Sequence, residues 1–331
     1  MKVRNVIWIA TMWLLAGSAA AQNGGKISGY MFGDYYYVAA NHNKSIEDAN
    51  GFWLRRIYFT YDRNLSKAFA VRLRWEMSSP GDFTTSSKLS PAVKDAYLKW
   101  KSGAHSVYVG ISSTPTWDFI EHFWGYRSVE KTPLDLQKFG SSRDFGVAVK
   151  GALDEAKHLN YHIMFGNGSS NKSETNKGKK VMVSLSAHSA NGIVAQGYFD
   201  YEARPDHTDR YTFQGFLGYN NSKSFRIGLQ FASQTRQVVN GDDMSLQIGS
   251  VFAAAKLGEK VWGFARADRQ FDANPAGAKI SYIPFAPTVK STFFVGGLDF
   301  QPQKNVHLMP NVEAVFYENV AGGPDNDLIP R

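Results

Sequence analysis

Phe69-Ala70-Val71-Arg72-Leu73-Arg74-Trp75-Glu76 decides the fold class. Apolar and polar residues alternate strictly, which places them on opposite faces of a β-strand, whereas a helix would repeat every 3.6 residues. The same alternation recurs in Leu159–Phe165, Tyr211–Tyr219 and Phe225–Phe231. About fifteen such segments follow one another, beginning near Lys26, Phe52, Ala68, Val93, Ser106, Ser142, His158, Lys180, Ile193, Arg210, Ser224, Ser245, Lys260, Ser291 and Val306. Most are long enough for a tilted transmembrane strand of roughly 9–11 residues.

The connections alternate between short and long. Arg63–Ser66, Ser102–Ala104, Asn220–Lys223 and Gly258-Glu259 are short; Ala40–Asn50, Ser78–Pro91, Ser112–Ser141, Gly166–Lys179, Phe271–Lys290 and Glu318–Asp327 are long. Short turns at one end and long loops at the other are the pattern of an outer-membrane barrel. The polar faces carry too many Arg, Lys, Gln and Asp side chains to share a dry core, so they must line something wet. The apolar faces therefore look outward to lipid, where only a closed barrel satisfies every backbone group. The expected fold is an all-β transmembrane antiparallel β-barrel of about sixteen strands. Leu328–Arg331 begins another strand, most of which is expected to be missing from the chain; a fourteen-stranded barrel is the alternative. Tyr35, Tyr37, Trp53, Tyr61, Trp75, Trp100, Tyr201, Tyr211, Tyr219 and Trp262 are candidates for the interfacial aromatic girdles.

Residues 1–21 form a signal peptide by pattern, with basic Met1–Arg4, apolar Val6–Leu15 and small residues Ala19-Ala20-Ala21 before a cut at Gln22. Export to the bacterial outer membrane and contact with its lipid are implied. The chain has no cysteine, which excludes disulfides and thiolate metal sites. Its formal charge of +8 favours an anionic partner, but the basic residues are spread over many strands, so nucleic acid is not one. There is no nucleophile elbow, zinc-protease helix or P-loop. His158 and His162 stand about 13 Å apart along a strand, too far to share a metal. Neither enzymatic activity nor a cofactor or metal is expected.

Four stretches resemble the phosphate-selective porins O and P and related barrels: Gly51-Phe52-Trp53-Leu54-Arg55-Arg56-Ile57-Tyr58, Asp95–Trp100, Trp124–Thr132 and Ser141–Val147. The layout is shared over the whole mature chain, the specific motifs only between Gly51 and Gly151. The resemblance implies a sixteen-stranded barrel, usually a homotrimer, with a third loop folded inward and basic residues that draw in phosphate or polyphosphate. Arg55, Arg56 and Tyr58 fall on the family's Arg-Arg-x-Tyr anion-binding strand, Asp95 on its pore carboxylate, and Lys131 loosely on its third-loop lysine.

Strand parity is independent of that resemblance. With Trp53, Ile57, Phe59 and Tyr61 outward, Arg56, Tyr58 and Thr60 face the lumen, and Arg55 faces outward unless a bulge reorients it or a subunit interface covers it. Arg72, Arg74, Lys99, Lys150, Arg210, Arg226 and Arg236 also lie on polar faces, together with Glu76, Asp95, Asp144, Asp200, Glu202 and Glu313. Guanidinium groups hold oxyanions bidentately at any relevant pH; paired with wall carboxylates they would instead stiffen the barrel. The longest connection, 112–141, carries Trp117, Phe119, Phe123, Trp124 and Tyr126, rings that need cover. A short helix over Trp117–Tyr126 folded into the lumen would bury them and offer Arg127 or Lys131 to the pathway. The resulting expectation is a passive channel for small anions such as phosphate. The rival is a general unselective or cation-leaning diffusion porin.

Overall fold

The computed structural model describes residues 24–221 and 223–331; the signal-peptide reading falls on 1–21, outside the described residues. The chain winds through β1 (Lys26–Tyr37), β2 (Asn50–Asn64), β3 (Phe69–Met77), β4 (Ala92–Ser102) and β5 (His105–Ser113). Helices α1 (Trp117–Trp124) and α2 (Pro133–Leu136) follow, then β6 (Arg143–Ala152), β7 (Leu159–Gly166), β8 (Lys180–His188) and β9 (Ile193–Glu202). The last strands are β10 (Arg210–Asn220), β11 (Phe225–Arg236), β12 (Met244–Gly258), β13 (Val261–Gln270), β14 (Ser291–Gln303), β15 (Val306–Leu308), β16 (Asn311–Tyr317) and β17 (Asp327–Pro330).

Consecutive strands pair antiparallel from β1 to β14. β15 and β16 both pair with β14 and form one strand interrupted at Met309-Pro310, where the proline ring removes a ladder donor. Sixteen strands therefore run round the wall. The sixteenth is β17, which pairs with Val312–Val315 of β16. β17 meets the β1 side through a bridge between Ala40 and Leu328, and Arg331 reaches Asp34 at 2.6 Å. Closure is thus made at the long-loop end, and one seam of the barrel is left unsealed below it. The short connections all lie at one end, and every connection at the other end is longer.

Burial is inverted relative to a water-soluble barrel. Phe213, Leu217, Leu229, Phe231 and Phe316 are exposed on the outer face, while Thr212, Gln214, Gln230, Ser250 and Asp268 are buried inside. An apolar outer band of this kind, costly in water at roughly 25 cal/mol per Å², is what lipid requires. Tyr35, Tyr37, Trp100, Tyr201 and Tyr219 are among the exposed rings, and Trp75 packs on Phe59 at 5.6 Å.

Two predicted girdle residues face the other way. Trp262 shares the inner face with Phe264, Arg266 and Asp268, and Arg226 lies 5.9 Å over its ring. Trp53 turns inward because of a β-bulge: Phe32 pairs with Arg56 but Gly33 pairs with Leu54, so Arg55 is an extra residue. A bulge shifts strand parity by one, which leaves Phe52 and Leu54 outward and stacks Trp53 on Tyr36 at 4.1 Å. Gly33 is needed opposite, because a Cβ there would strike the carbonyl oxygen of Trp53. A second bulge lies in β4, where Arg74 pairs with Asp95 and Trp75 with Val93, leaving Lys94 as the extra residue. Each bulge turns two consecutive polar residues into the lumen: Arg55 with Arg56, and Lys94 with Asp95.

Candidate channel constriction

The connection between β5 and β6 lies against the inner wall. α1 buries Trp117, Ile120, Phe123 and Trp124 on one face, at the spacing of a helical stripe. Gly125, at φ 72°, ends the helix in the left-handed conformation, two residues short of the predicted end at Tyr126. The buried rings meet inward-facing rings of distant strands: Trp117 meets Tyr198 at 5.5 Å, Phe123 meets Phe216 at 4.9 Å, Trp124 meets Phe252 at 5.4 Å and Tyr126 stacks on Phe264 at 4.3 Å. Polar ties complete the seat. Thr116 Oγ1 donates to Gln196 at 2.7 Å, Gln234 Nε2 donates to the Phe139 carbonyl at 2.5 Å and Asn274 Nδ2 to the Gln137 carbonyl at 2.9 Å.

Arg55 fixes the remaining corner. Its guanidinium is 3% exposed and lies 2.5 Å from Glu130, 3.7 Å from Asp34 and 3.7 Å from Glu313. It also donates to the Val129 carbonyl and covers the ring of Tyr282 at 4.6 Å. Burial alone would raise the Glu130 carboxyl, but Arg55 and Lys131 outweigh it and hold the group down at about 2. Arg55 thus clamps the loop to the wall, with its charge already spent on carboxylates.

The other candidate residues fall into two groups. Arg56 lies 3.3 Å from Glu76, and the bulge residue Lys94 meets the same carboxylate at 3.0 Å. Arg72 grips Asp62 bidentately at 2.7 and 3.0 Å. Asp95, buried, takes Arg74 at 3.5 Å and a hydrogen bond from Arg143. Arg127 lies 3.6 Å from Glu121. Tyr58 is 7% exposed, with Arg74 5.6 Å over its ring. Lys99, Lys131 and Arg226, by contrast, have no carboxylate within 4.0 Å among the described residues. Lys99 stands 5.4 Å from the Tyr108 ring, joined on the other side by Lys150 at 5.2 Å. Arg226 covers Tyr126 at 5.0 Å.

The strands bring Arg56, Tyr58, Arg72, Arg74, Asp95 and Lys99 together on the adjacent walls of β2, β3 and β4, and the loop adds Arg127 and Lys131. Arg226, on β11, lies apart from them. Sequence reasoning missed Arg143, Lys94 and the acidic face of the loop. Asp118 and Glu121 lie on the face of α1 away from its rings, and burial of Asp118 is outweighed by Lys150 and Arg143, which hold the carboxyl below its ordinary value. Lys94 and Arg55 had a signal: the outward apolar set changes parity from Phe52 and Leu54 to Ile57 and Phe59, and from Val93 to Leu98 and Trp100, across the two bulges.

Lys131 has a titration that conduction would report. Burial pushes its ammonium down to about 8, although Asp135 and Glu130 oppose the shift. The group is charged below that pH and neutral above it. Raising the pH from 7 to 9 is therefore expected to shift the reversal potential toward the cation side, with a midpoint near 8, and Lys131→Met should abolish this step. Reversal potentials that do not change over that interval in the parent protein would remove Lys131 from the pathway.

No family model matches the chain, and no curated protein matches it. Solved structures do. An anion-selective porin from Comamonas acidovorans superimposes with a TM-score of 0.66 at 10% identity, covering 92% of this chain and 97% of that one. The outer-membrane channel DcaP of Acinetobacter baumannii gives 0.63 at 13% identity over 94% and 97%. OmpT, an outer-membrane protein of Vibrio cholerae described in a trimer form, gives 0.59 at 12% identity over 92% and 97%. The fold is that of the porins. At these identities the likeness extends to the fold and no further, and these three structures do not single out the phosphate-selective porins.

Proposed function

We propose that the chain is a passive, water-filled channel of the bacterial outer membrane that prefers anions and assembles as a homotrimer. The observation that carries the anion preference is the set of lumenal cations with no carboxylate within 4.0 Å among the described residues, Lys99, Lys131, Lys150 and Arg226. They raise the local anion concentration, and a succession of weak sites lets ions leave again. The loop from 114 to 142 sets the narrowest passage, between α1 and the basic walls of β2 to β6. The likeness to an anion-selective porin and to a protein described as a trimer supports this reading. Phosphate is the oxyanion to test first, through Arg56 and Tyr58; Arg55, clamped on Glu130, contributes structure to that motif and not a free charge.

A second reading has its own support. Asp118 and Glu121 confront the basic wall across the lumen, and most wall guanidiniums are paired, which suits a general diffusion porin with a transverse field. The reversal potential in a planar bilayer under a potassium chloride gradient separates the two. A potential near the chloride limit, with current reduced by low phosphate, is expected. An unselective or cation-leaning potential, indifferent to phosphate, would establish the general porin instead.

A further inference from the structure

Beneath α1, toward the short-turn end, the lumen widens into a cavity of about 670 Å³. That is the size of a small-molecule site and far larger than an inorganic ion needs. We propose that this cavity binds organic anions built as a carboxylate on an apolar ring. The proposal rests on the channel reading and names a substrate class for it.

The lining combines two chemistries. Lys101, Lys150 and Lys157 supply positive charge against a single carboxylate, Asp118, and among the described residues none of the three lysines has a carboxylate within 4.0 Å. Lys150, His162 and Ser184 are register partners across β6, β7 and β8. An ammonium, an imidazole and a hydroxyl therefore stand in a row on one inner wall. The His162 Nε2 atom is buried and has no hydrogen-bond partner among the described residues. An unsatisfied buried polar atom beside an ammonium is costly unless a ligand or solvent meets it. A carboxylate would match that row, with one oxygen on the Lys150 Nζ, which also donates to Ser113 at 2.6 Å, and the other taking a hydrogen bond from the His162 Nε2–H tautomer once the ring turns toward the cavity.

The facing side is apolar. The α1 side chains Phe119 and Phe123 line the cavity, and Phe119 meets His188 and Phe216 edge-on at 5.8 Å each. Chloride or phosphate would use none of this surface, and a neutral aromatic would leave the Lys150 row unmatched. A ring that carries a carboxylate uses both.

Phenylacetate is the probe, with acetate as the charge without the ring and benzyl alcohol as the ring without the charge. Calorimetric titration of the detergent-solubilised protein is expected to show phenylacetate binding at least tenfold more tightly than either control. Lys150→Met and Phe119→Ser should each weaken it about tenfold, and His162→Gln, which keeps a donor, should weaken it less than His162→Phe. In bilayers, phenylacetate added from the short-turn side should reduce chloride current at concentrations where acetate does not. Equal affinity for phenylacetate and acetate, or phenylacetate binding indifferent to Phe119→Ser, would overturn the site. Binding as expected in a protein that proves cation-selective or non-conducting would overturn the channel reading and leave the site standing.

Discussion

Arg55→Met is expected to release the constriction loop and to destabilise the folded barrel by about 3–5 kcal/mol, the usual cost of removing one partner of a buried ion pair. The substitution leaves Glu130 and Glu313, each fully buried, facing each other without the guanidinium that joins them. Glu313 keeps Arg331 at 2.7 Å, but Glu130 retains only local partners, among them the Lys131 amide at 2.7 Å. The loop then stays tied mainly through its rings and the Thr116 and Gln234 hydrogen bonds on the far wall. Two readouts follow: earlier loss of the folded band on unheated gels as temperature rises, and larger, noisier single-channel conductance. Arg55→Lys should recover little of either, because an ammonium cannot serve Glu130, Glu313 and the Val129 carbonyl together. Parent-like conductance and melting in Arg55→Met would show that the aromatic seat alone holds the loop.

The second large effect is on selectivity. Lys99→Glu combined with Lys150→Glu is expected to move the selectivity of the proposed channel from anions toward cations. Each reversal changes the lumen by two charges, and at an effective dielectric constant of 20 a unit charge still acts with about 2 kcal/mol at 8 Å before screening. Since 1.4 kcal/mol is a tenfold change in partition, the reversal potential should cross zero and approach the cation side of the ~59 mV limit set by a tenfold salt gradient. These two lysines are cleaner targets than Arg56 and Arg74. Reversing Arg56 would set a second carboxylate against Glu76 with Lys94 as its remaining partner, and reversing Arg74 would weaken the Asp95 cluster, so selectivity and folding would change together. Lys99 and Lys150 flank Tyr108, and neither has a carboxylate within 4.0 Å among the described residues; Asp118 keeps Arg143 when Lys150 is reversed. A double variant with parent-like selectivity would transfer the anion preference to Lys131 and Arg226, or to no wall lysine at all.

The strand alternation, the loop-length asymmetry and the excess of polar side chains on one face were enough, without coordinates, to specify an all-β barrel with an apolar outside. All fifteen expected strand starts lie within two residues of observed ones. Period-two patterning is local, and lipid outside with water inside imposes it on every strand alike. The rings of the 112–141 connection likewise announced their need for cover, because exposed aromatic surface is costly wherever the chain runs. Which partner each lumenal charge meets was decided only by tertiary structure. Arg55 and Arg56 are adjacent and chemically identical, yet one clamps a loop and the other meets a wall carboxylate, because a bulge opposite Gly33 turns both inward. Trp53 and Trp262 have the composition of girdle residues and sit inside. Glu130, Glu313 and Asp34 come from three distant segments, and their convergence on Arg55 depends on strand register and loop path, which no local pattern encodes. Periodicity determines which face a side chain occupies; its partners across the lumen are determined by the closure of the barrel.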